Sequence, residues 1–144
     1  MIEGSCLCGS VKFNINGEVT PIQKCHAERC RKATGGAYAP EMLAAKTHFT
    51  WVQGEERVTE YIAPILHQPP AYKRAFCNQC GSPLPVEIEG TGFMILLAGV
   101  LDTDPGVKTF RHAFTGQKAC WHEITDALPA HAGQPPVPDK YKKG

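Results

Sequence analysis

The sequence predicts a mainly β protein with a single domain. Three features support this: short segments in which apolar and polar residues alternate, turns rich in glycine and proline between these segments, and cysteine pairs far apart in the chain. A chain of 144 residues has the usual size of one domain. Such a chain buries about two-thirds of its unfolded surface, so it can form a core without additional crosslinks.

The predicted strands follow one another along the chain. Val11, Phe13 and Ile15 alternate with polar residues, and Asn16-Gly17 then predicts a hairpin turn that leads into residues 18–20. The further predicted strands are residues 57–62, 72–76, 86–88 and 92–98. Residues 28–33 and 43–47 are the only segments predicted to hold a helical turn or two.

The domain is expected to span residues 1–128. From Pro129 the composition changes to proline, glycine, alanine and lysine, which bury too little apolar surface to order a segment by themselves. Residues 129–144 are therefore predicted to form a loosely held tail.

Charge and hydropathy exclude some partners. The formal net charge is +1 and there is no long basic run, so no nucleic-acid partner is expected. No apolar stretch approaches the roughly 20 residues of a membrane span, so no membrane partner is expected. Residues 1–5 lack a signal-peptide pattern, and free thiols suited to metal binding favour the cytoplasm as the location.

Two close-set cysteine pairs predict a structural zinc site. Cys6 and Cys8 lie near the amino terminus, Cys77 and Cys80 lie past the middle, and Gly81 suits a tight turn after the last thiol. Four thiolates in two pairs satisfy a tetrahedral zinc ion and crosslink two distant strands. Disulfides or buried thiols are the alternative, but a Cys6–Cys8 bridge would be strained and the total of seven cysteines is odd.

A second chemical cluster begins at Cys25. Cys25 and Cys30 lie near three basic residues, Arg29, Arg31 and Lys32, whose positive charge is expected to depress the pKa of the thiols. The same basic residues are candidates to bind an acidic substrate, because guanidinium groups pair with carboxylates. The alternative interpretation is a solvated basic loop that carries two ordinary cysteines.

Taken together, these motifs resemble the glutathione-dependent formaldehyde-activating enzyme and centromere protein V family. The resemblance runs from about residue 4 to about residue 126, and its segments are residues 5–11, 25–32, 76–82 and 118–124. It implies a β-tent fold of small antiparallel sheets, with a structural zinc on Cys6, Cys8, Cys77 and Cys80. It also implies a second, catalytic zinc on the segment that begins at Cys25, and carbon–sulfur lyase activity that joins formaldehyde to glutathione.

The chain departs from the family pattern inside this second motif. The family has cysteine at the first, third and sixth positions, whereas here the third position is Ala27 and only Cys25 and Cys30 remain. Because catalytic zinc usually has three protein ligands, another side chain must complete the site or the metal is absent. The candidates considered are His26, His112 and Cys120.

Three functions follow from these features. The first is a zinc-dependent carbon–sulfur lyase that acts on glutathione, or another small thiol, and formaldehyde or a related aldehyde, with Cys25 and Cys30 as catalytic residues. The second is a zinc-stabilised module that binds a small thiol or a protein without turnover. The third is a redox protein in which Cys25 and Cys30 form a disulfide.

Overall fold

In a computed structural model the protein is mainly β, as predicted, and the structure describes residues 1–63 and 72–141. These residues form one α-helix, α1 (Glu28–Thr34), and eleven strands. The strands are β1 (Ile2–Ser5), β2 (Lys12–Ile15), β3 (Ile22–Cys25), β4 (Ala39–Ala45), β5 (Phe49–Gln53), β6 (Val58–Ile62), β7 (Lys73–Cys77), β8 (Pro83–Leu84), β9 (Val86–Ile88), β10 (Phe93–Leu97) and β11 (Thr109–Ala113).

The strands form three small sheets. The first has the order β1-β2-β5, the second β11-β3-β4-β10-β9, and the third β6-β7-β8. Every pair of strands is antiparallel except β3 and β11, which run parallel. The small sheets agree with the resemblance, and the parallel pair makes the five-stranded sheet a mixed one.

Strand β4 separates the main core from the region of the second cysteine motif. Met42 and Ala44 are buried in a core that they share with Phe13 of β2. Because successive side chains of a strand point to opposite faces, Ala39 and Glu41 lie on the other face, where Ala39 packs with Cys25 and Cys30. Helix α1 therefore covers the face of the five-stranded sheet that carries Glu41.

The predicted strands 57–62, 72–76, 86–88 and 92–98 are confirmed within one residue at most ends. The predicted hairpin after Asn16-Gly17 is wrong, because β2 pairs with β1 and β5. Val19 instead forms an isolated bridge with Ala44 of the second sheet. The helical turn predicted at 43–47 is also wrong for residues 43–45, which continue β4, and only residues from Lys46 onward form a 3₁₀ turn.

The segment after Pro129 follows β11. The His112 amide donates to the Pro129 carbonyl at 2.8 Å, and the His131 amide donates to the His112 carbonyl at 3.1 Å. Arg111 Nη1 donates to the Pro136 carbonyl at 2.8 Å. Residues 142–144 of the predicted tail lie outside the described residues, and the boundary at residue 128 stays a prediction.

Helix α1 has seven residues, and within the described ranges no helix is long and apolar enough to cross a bilayer.

Candidate metal centres

The two distant cysteine pairs meet at one point of the structure. The sulfur atoms of Cys6, Cys8, Cys77 and Cys80 all lie within 4.8 Å of one another. The Cys6 and Cys8 sulfurs are 3.5 Å apart, and the Cys8 and Cys77 sulfurs are 3.9 Å apart. Zinc–sulfur bonds of about 2.3 Å in a tetrahedron place sulfurs about 3.8 Å apart, so the cluster has the spacing of a zinc site.

Each pair is carried by a turn between two strands. Cys6 and Cys8 lie between β1 and β2, and the Cys77–Cys80 turn connects β7 to β8. The Gly81 amide donates to the Cys77 carbonyl at 2.8 Å, and Gly81 has φ 74°, as its place after the thiol predicted. A side chain would strain this left-handed conformation, so glycine is required for the turn that aims both sulfurs inward.

Hydrogen-bond donors favour the ionised form of Cys80. The Ser82 hydroxyl lies 3.3 Å from the Cys80 sulfur, and this contact, with the Ser82 and Cys8 amides, lowers the pKa of Cys80 to about 5. Thiolates are the form that binds metal. Four thiols at this spacing, one of them readily ionised, therefore fit a tetrahedral zinc ion.

The second cysteine motif converges on a carboxylate. Cys25 ends β3, Cys30 lies on α1, and Glu41 lies on β4, next to β3 in the sheet. The Cys30 thiol lies 3.0 Å from the Cys25 sulfur and 3.1 Å from Glu41 Oε1, and it can donate its one proton to either of them. All three candidate ligand atoms lie within 4.8 Å of one another.

Ionising all the groups of this second cluster is unfavourable, because their negative charges would be close together and partly buried. The hydrogen bond with Cys25, burial and the Glu41 carboxylate raise the pKa of the Cys30 thiol, so the predicted depression of its pKa is wrong. Burial likewise raises the pKa of Glu41, although Cys30, Cys25 and Arg29 oppose this rise. A bound divalent cation would relieve the repulsion between these groups. Two thiols and a carboxylate are a donor set that zinc accepts, so the residues present fit a metal ion.

The three basic residues of α1 have different surroundings. The Arg29 guanidinium lies over the Tyr72 ring, 5.0 Å from its centre, and its charge lowers the pKa of Glu41 against the effect of burial. The Arg31 Nε is buried and has no hydrogen-bond partner among the described residues. Lys32 has a side chain that is 74% exposed and lies 3.5 Å from Glu28 in an ordinary pair one helical turn apart.

A chain of hydrogen bonds leads from Asp126 at the surface to His26, the residue that follows Cys25. Asp126 Oδ1 lies 2.8 Å from His112 Nε2, and His112 Nδ1 lies 2.8 Å from His26 Nε2. The His112 contact lowers the pKa of Asp126 to about 2, so its carboxylate accepts a hydrogen bond from His112 Nε2. The bond between His112 Nδ1 and His26 Nε2 continues this chain to a ring that is fully buried.

The candidates considered for completing the second site lie elsewhere. His26 and His112 bond to each other, and Cys120 is exposed. None of the three belongs to either group of candidate ligands within residues 1–63 and 72–141. Sequence reasoning missed Glu41 and Asp126, because a single acidic residue far from the motif carries no local signal.

The fold and the two clusters define a small mainly β protein with two candidate metal sites. Residues 1–117 match the family model described as "Glutathione-dependent formaldehyde-activating enzyme", and the chain belongs to this family. It is 30% identical over 127 residues to a protein of Halomonas elongata named "Putative glutathione-dependent formaldehyde-activating enzyme", covering 86% of this chain and 81% of that protein. A crystal structure of a Rhodobacter sphaeroides protein has a similar fold, with a TM-score of 0.52 and 21% identity, over 74% of this chain and 98% of that chain.

The buried His26 predicts an acid-sensitive fold. Burial, followed by His112 and His122, lowers the pKa of His26 from 6.5 to about 4. Between these pH values the unfolded chain binds a proton at His26 that the folded chain does not, so stability falls as the pH falls. His26→Gln removes this titration, and its amide can still form a hydrogen bond with His112 in either direction. We expect the free energy of unfolding, measured by denaturant titration at several pH values, to fall less steeply in the variant, by up to about 1.4 kcal/mol per pH unit. Parallel pH profiles for the two proteins would contradict this expectation.

Proposed function

We propose that this protein joins a small aldehyde to a small thiol, with formaldehyde and glutathione as the candidate pair. The proposal depends on one observation above all: Cys25, Cys30 and Glu41 converge within 4.8 Å at the place where the family carries its second cysteine motif. Membership of the family and the name of the Halomonas elongata relative support the choice of substrates. The activity belongs to the carbon–sulfur lyase class.

The reaction is an addition without oxidation or reduction. The thiol sulfur forms a bond to the carbonyl carbon, the carbon–oxygen π bond breaks, and the thiol proton ends on the carbonyl oxygen. The product with formaldehyde and glutathione is S-hydroxymethylglutathione. No other reactant is needed for the atoms and electrons to balance.

The side chains of the second cluster would hold a zinc ion and orient the two substrates beside it. Zinc bound here would lower the pKa of a thiol and polarise a carbonyl. Arg29 offers a guanidinium group near Glu41, because its charge lowers the pKa of that carboxyl against the effect of burial. Arg31 follows Cys30 on α1 and is a second guanidinium that could pair with a substrate carboxylate. Lys32 adds positive charge at the rim of the site, although it pairs with Glu28.

A small cavity lies beside Glu41. It has a volume of about 30 Å³ and is lined by Glu41, Tyr72, Arg74 and Leu97, among others, but not by Cys25 or Cys30. Such a volume holds about two water molecules, so a tripeptide would have to bind outside it.

Cys6, Cys8, Cys77 and Cys80 are proposed to hold a structural zinc. They crosslink the first and third sheets through a small core that contains Cys6, Cys77 and Val11. This role does not require any substrate, so the two sites have separate tests.

The proposed activity is tested with zinc, glutathione and formaldehyde. We expect the protein to accelerate formation of S-hydroxymethylglutathione over the uncatalysed reaction, as measured by exchange spectroscopy in NMR. Cys30→Ala is expected to abolish the acceleration, because it removes one of two thiolates in the cluster. The matched control is Cys120→Ala, which removes an exposed thiol outside both clusters and is expected to keep the full rate.

The same experiment separates the alternatives. Binding of glutathione without any acceleration would overturn the enzyme proposal and favour a binding module. The Cys25 and Cys30 sulfurs are 3.0 Å apart, so the protein is reduced beforehand and the reductant is removed before an anaerobic assay, which keeps both as thiols. Equal rates for the wild type and Cys30→Ala would also contradict the proposal.

A further inference from the structure

We infer that Glu41 is the third protein ligand of the second metal site, where it replaces the thiolate that is missing at Ala27. The site would take a divalent cation of the zinc class, bound by two sulfurs and one oxygen. This inference rests on the proposed function for the location of the site, but it assigns a ligand that the family motif does not contain.

Strand register brings the carboxylate to the thiols. In the pairing of β3 with β4, Cys25 lies opposite Ala39 and Gln23 lies opposite Glu41. Residues two apart on a strand share a face, so Cys25 and Glu41 point to the same side of the sheet. Cys30 approaches this side from α1, which places one helix residue and two strand residues around one point.

Binding a zinc ion would require only a small increase in the distances between the ligand atoms. The Cys25 and Cys30 sulfurs are 3.0 Å apart, and a tetrahedral zinc ion needs about 3.8 Å between two sulfurs. The contact between Cys30 and Glu41 Oε1 is 3.1 Å. Helix α1 is short and rests on this cluster, so a shift of less than about 1 Å would open the site to bonding distance.

The charge of the donor set is the same as in the family motif. Two thiolates and one carboxylate carry three negative charges, as three thiolates do, so Glu41 compensates for the presence of Ala27 where the family has a cysteine. Carboxylates are established zinc ligands beside histidine and cysteine, and three protein ligands leave the fourth position open for a substrate. Oxygen is a harder donor than sulfur, so the cation is held less tightly than by three thiolates.

Other side chains do not compete for this position. Ala27 is 3% exposed and packs with Cys25 and Cys30, so the position of the family thiolate is occupied by a methyl group. Among the residues that the structure describes, Glu41 alone joins the two thiols as a candidate ligand.

Zinc binding to the purified chain tests the inference. Competition with a chromophoric chelator is expected to show two zinc ions per wild-type chain, one tightly held and one less tightly held. Glu41→Ala and the isosteric Glu41→Gln are both expected to lose the weaker ion and to keep the tight one. Adding Ala27→Cys to Glu41→Ala is expected to restore a second zinc, because the third ligand returns as a thiolate.

The matched control is Glu87→Ala. Glu87 is paired with Lys46 at 2.6 Å and lies in neither cluster, so this variant removes an acidic residue of the same sheet and is expected to keep both ions. Melting temperatures measured with one zinc bound verify that each variant is folded.

Two results would overturn the inference: wild type that binds a single zinc at saturation, or Glu41 variants that retain the second zinc with unchanged affinity. These results are independent of turnover. A second zinc lost in both Glu41 variants, without any acceleration by the wild type, would support the ligand assignment and reject the proposed reaction. Acceleration by the wild type together with unchanged zinc binding in the Glu41 variants would reject Glu41 alone.

Discussion

Cys80→Ser is expected to leave the chain largely unfolded at ambient temperature. Structural zinc contributes about 10 kcal/mol or more to folding in small zinc domains, whereas the total stability of a typical domain is about 5–15 kcal/mol. Cys80 is one of four thiols whose sulfurs lie within 4.8 Å of one another. Its loss would leave three ligands for the proposed ion, which would connect the β1–β2 turn to the β7–β8 turn.

Zinc content and thermal melting measure this effect. The variant is expected to lose the tightly held zinc and its cooperative melt, and to accumulate in inclusion bodies. Cys120→Ser is the matched control, because Cys120 is exposed and lies outside both clusters. A Cys80→Ser protein that melts near the wild-type temperature with unchanged zinc would reject the structural role of this site.

Phe13→Ala is expected to destabilise the fold by about 3–5 kcal/mol while the protein still binds zinc. Phe13 is 1% exposed, its ring stacks on Phe49 at 5.5 Å, and Trp51 meets it edge-on at 6.1 Å. Removing the ring leaves a cavity between the first and second sheets, and the lining cannot collapse fully because Gly4 of β1 packs directly against the ring.

Denaturant titration of the zinc-loaded protein measures this loss. Val52→Ala on the neighbouring strand β5 is the control, since Val52 is 57% exposed and its truncation is expected to change the stability by less than about 0.5 kcal/mol. Equal stabilities for the Phe13 and Val52 variants would show that Phe13 is not part of the main core.

The sequence alone determined the fold class and the parts of both sites that lie within short segments. Alternation of apolar and polar residues predicted β6, β7, β9 and β10, because period-2 burial depends on neighbouring residues only. The spacing of Cys6 with Cys8 and of Cys77 with Cys80 predicted one cluster of four sulfurs, and the structure brings these sulfurs together. The link between the two pairs was predictable because four ligands are what a tetrahedral zinc needs.

Two predictions from local sequence patterns were wrong, because strands distant in the sequence decide the pairing there. Asn16-Gly17 is a strong hairpin signal, yet β2 has its neighbours in β1 and β5 instead. Residues 43–45 have no polar side chains, and they are strand because they pair with residues 93–95 of β10. Tertiary packing overrode the local preference in both segments.

Only the tertiary structure decided which side chains surround Cys25 and Cys30. Glu41 reaches the thiols through the register of β3 with β4. Asp126 lies 14 positions after His112, beyond the end of β11, and it reaches His112 from a segment that forms no strand. Neither acidic residue has a motif of its own. The nearby basic residues predicted a lowered pKa for Cys30, but burial and the unforeseen carboxylate raise it. Register between strands depends on the packing of whole sheets, so a site completed across strands is invisible to patterns that extend over a few residues.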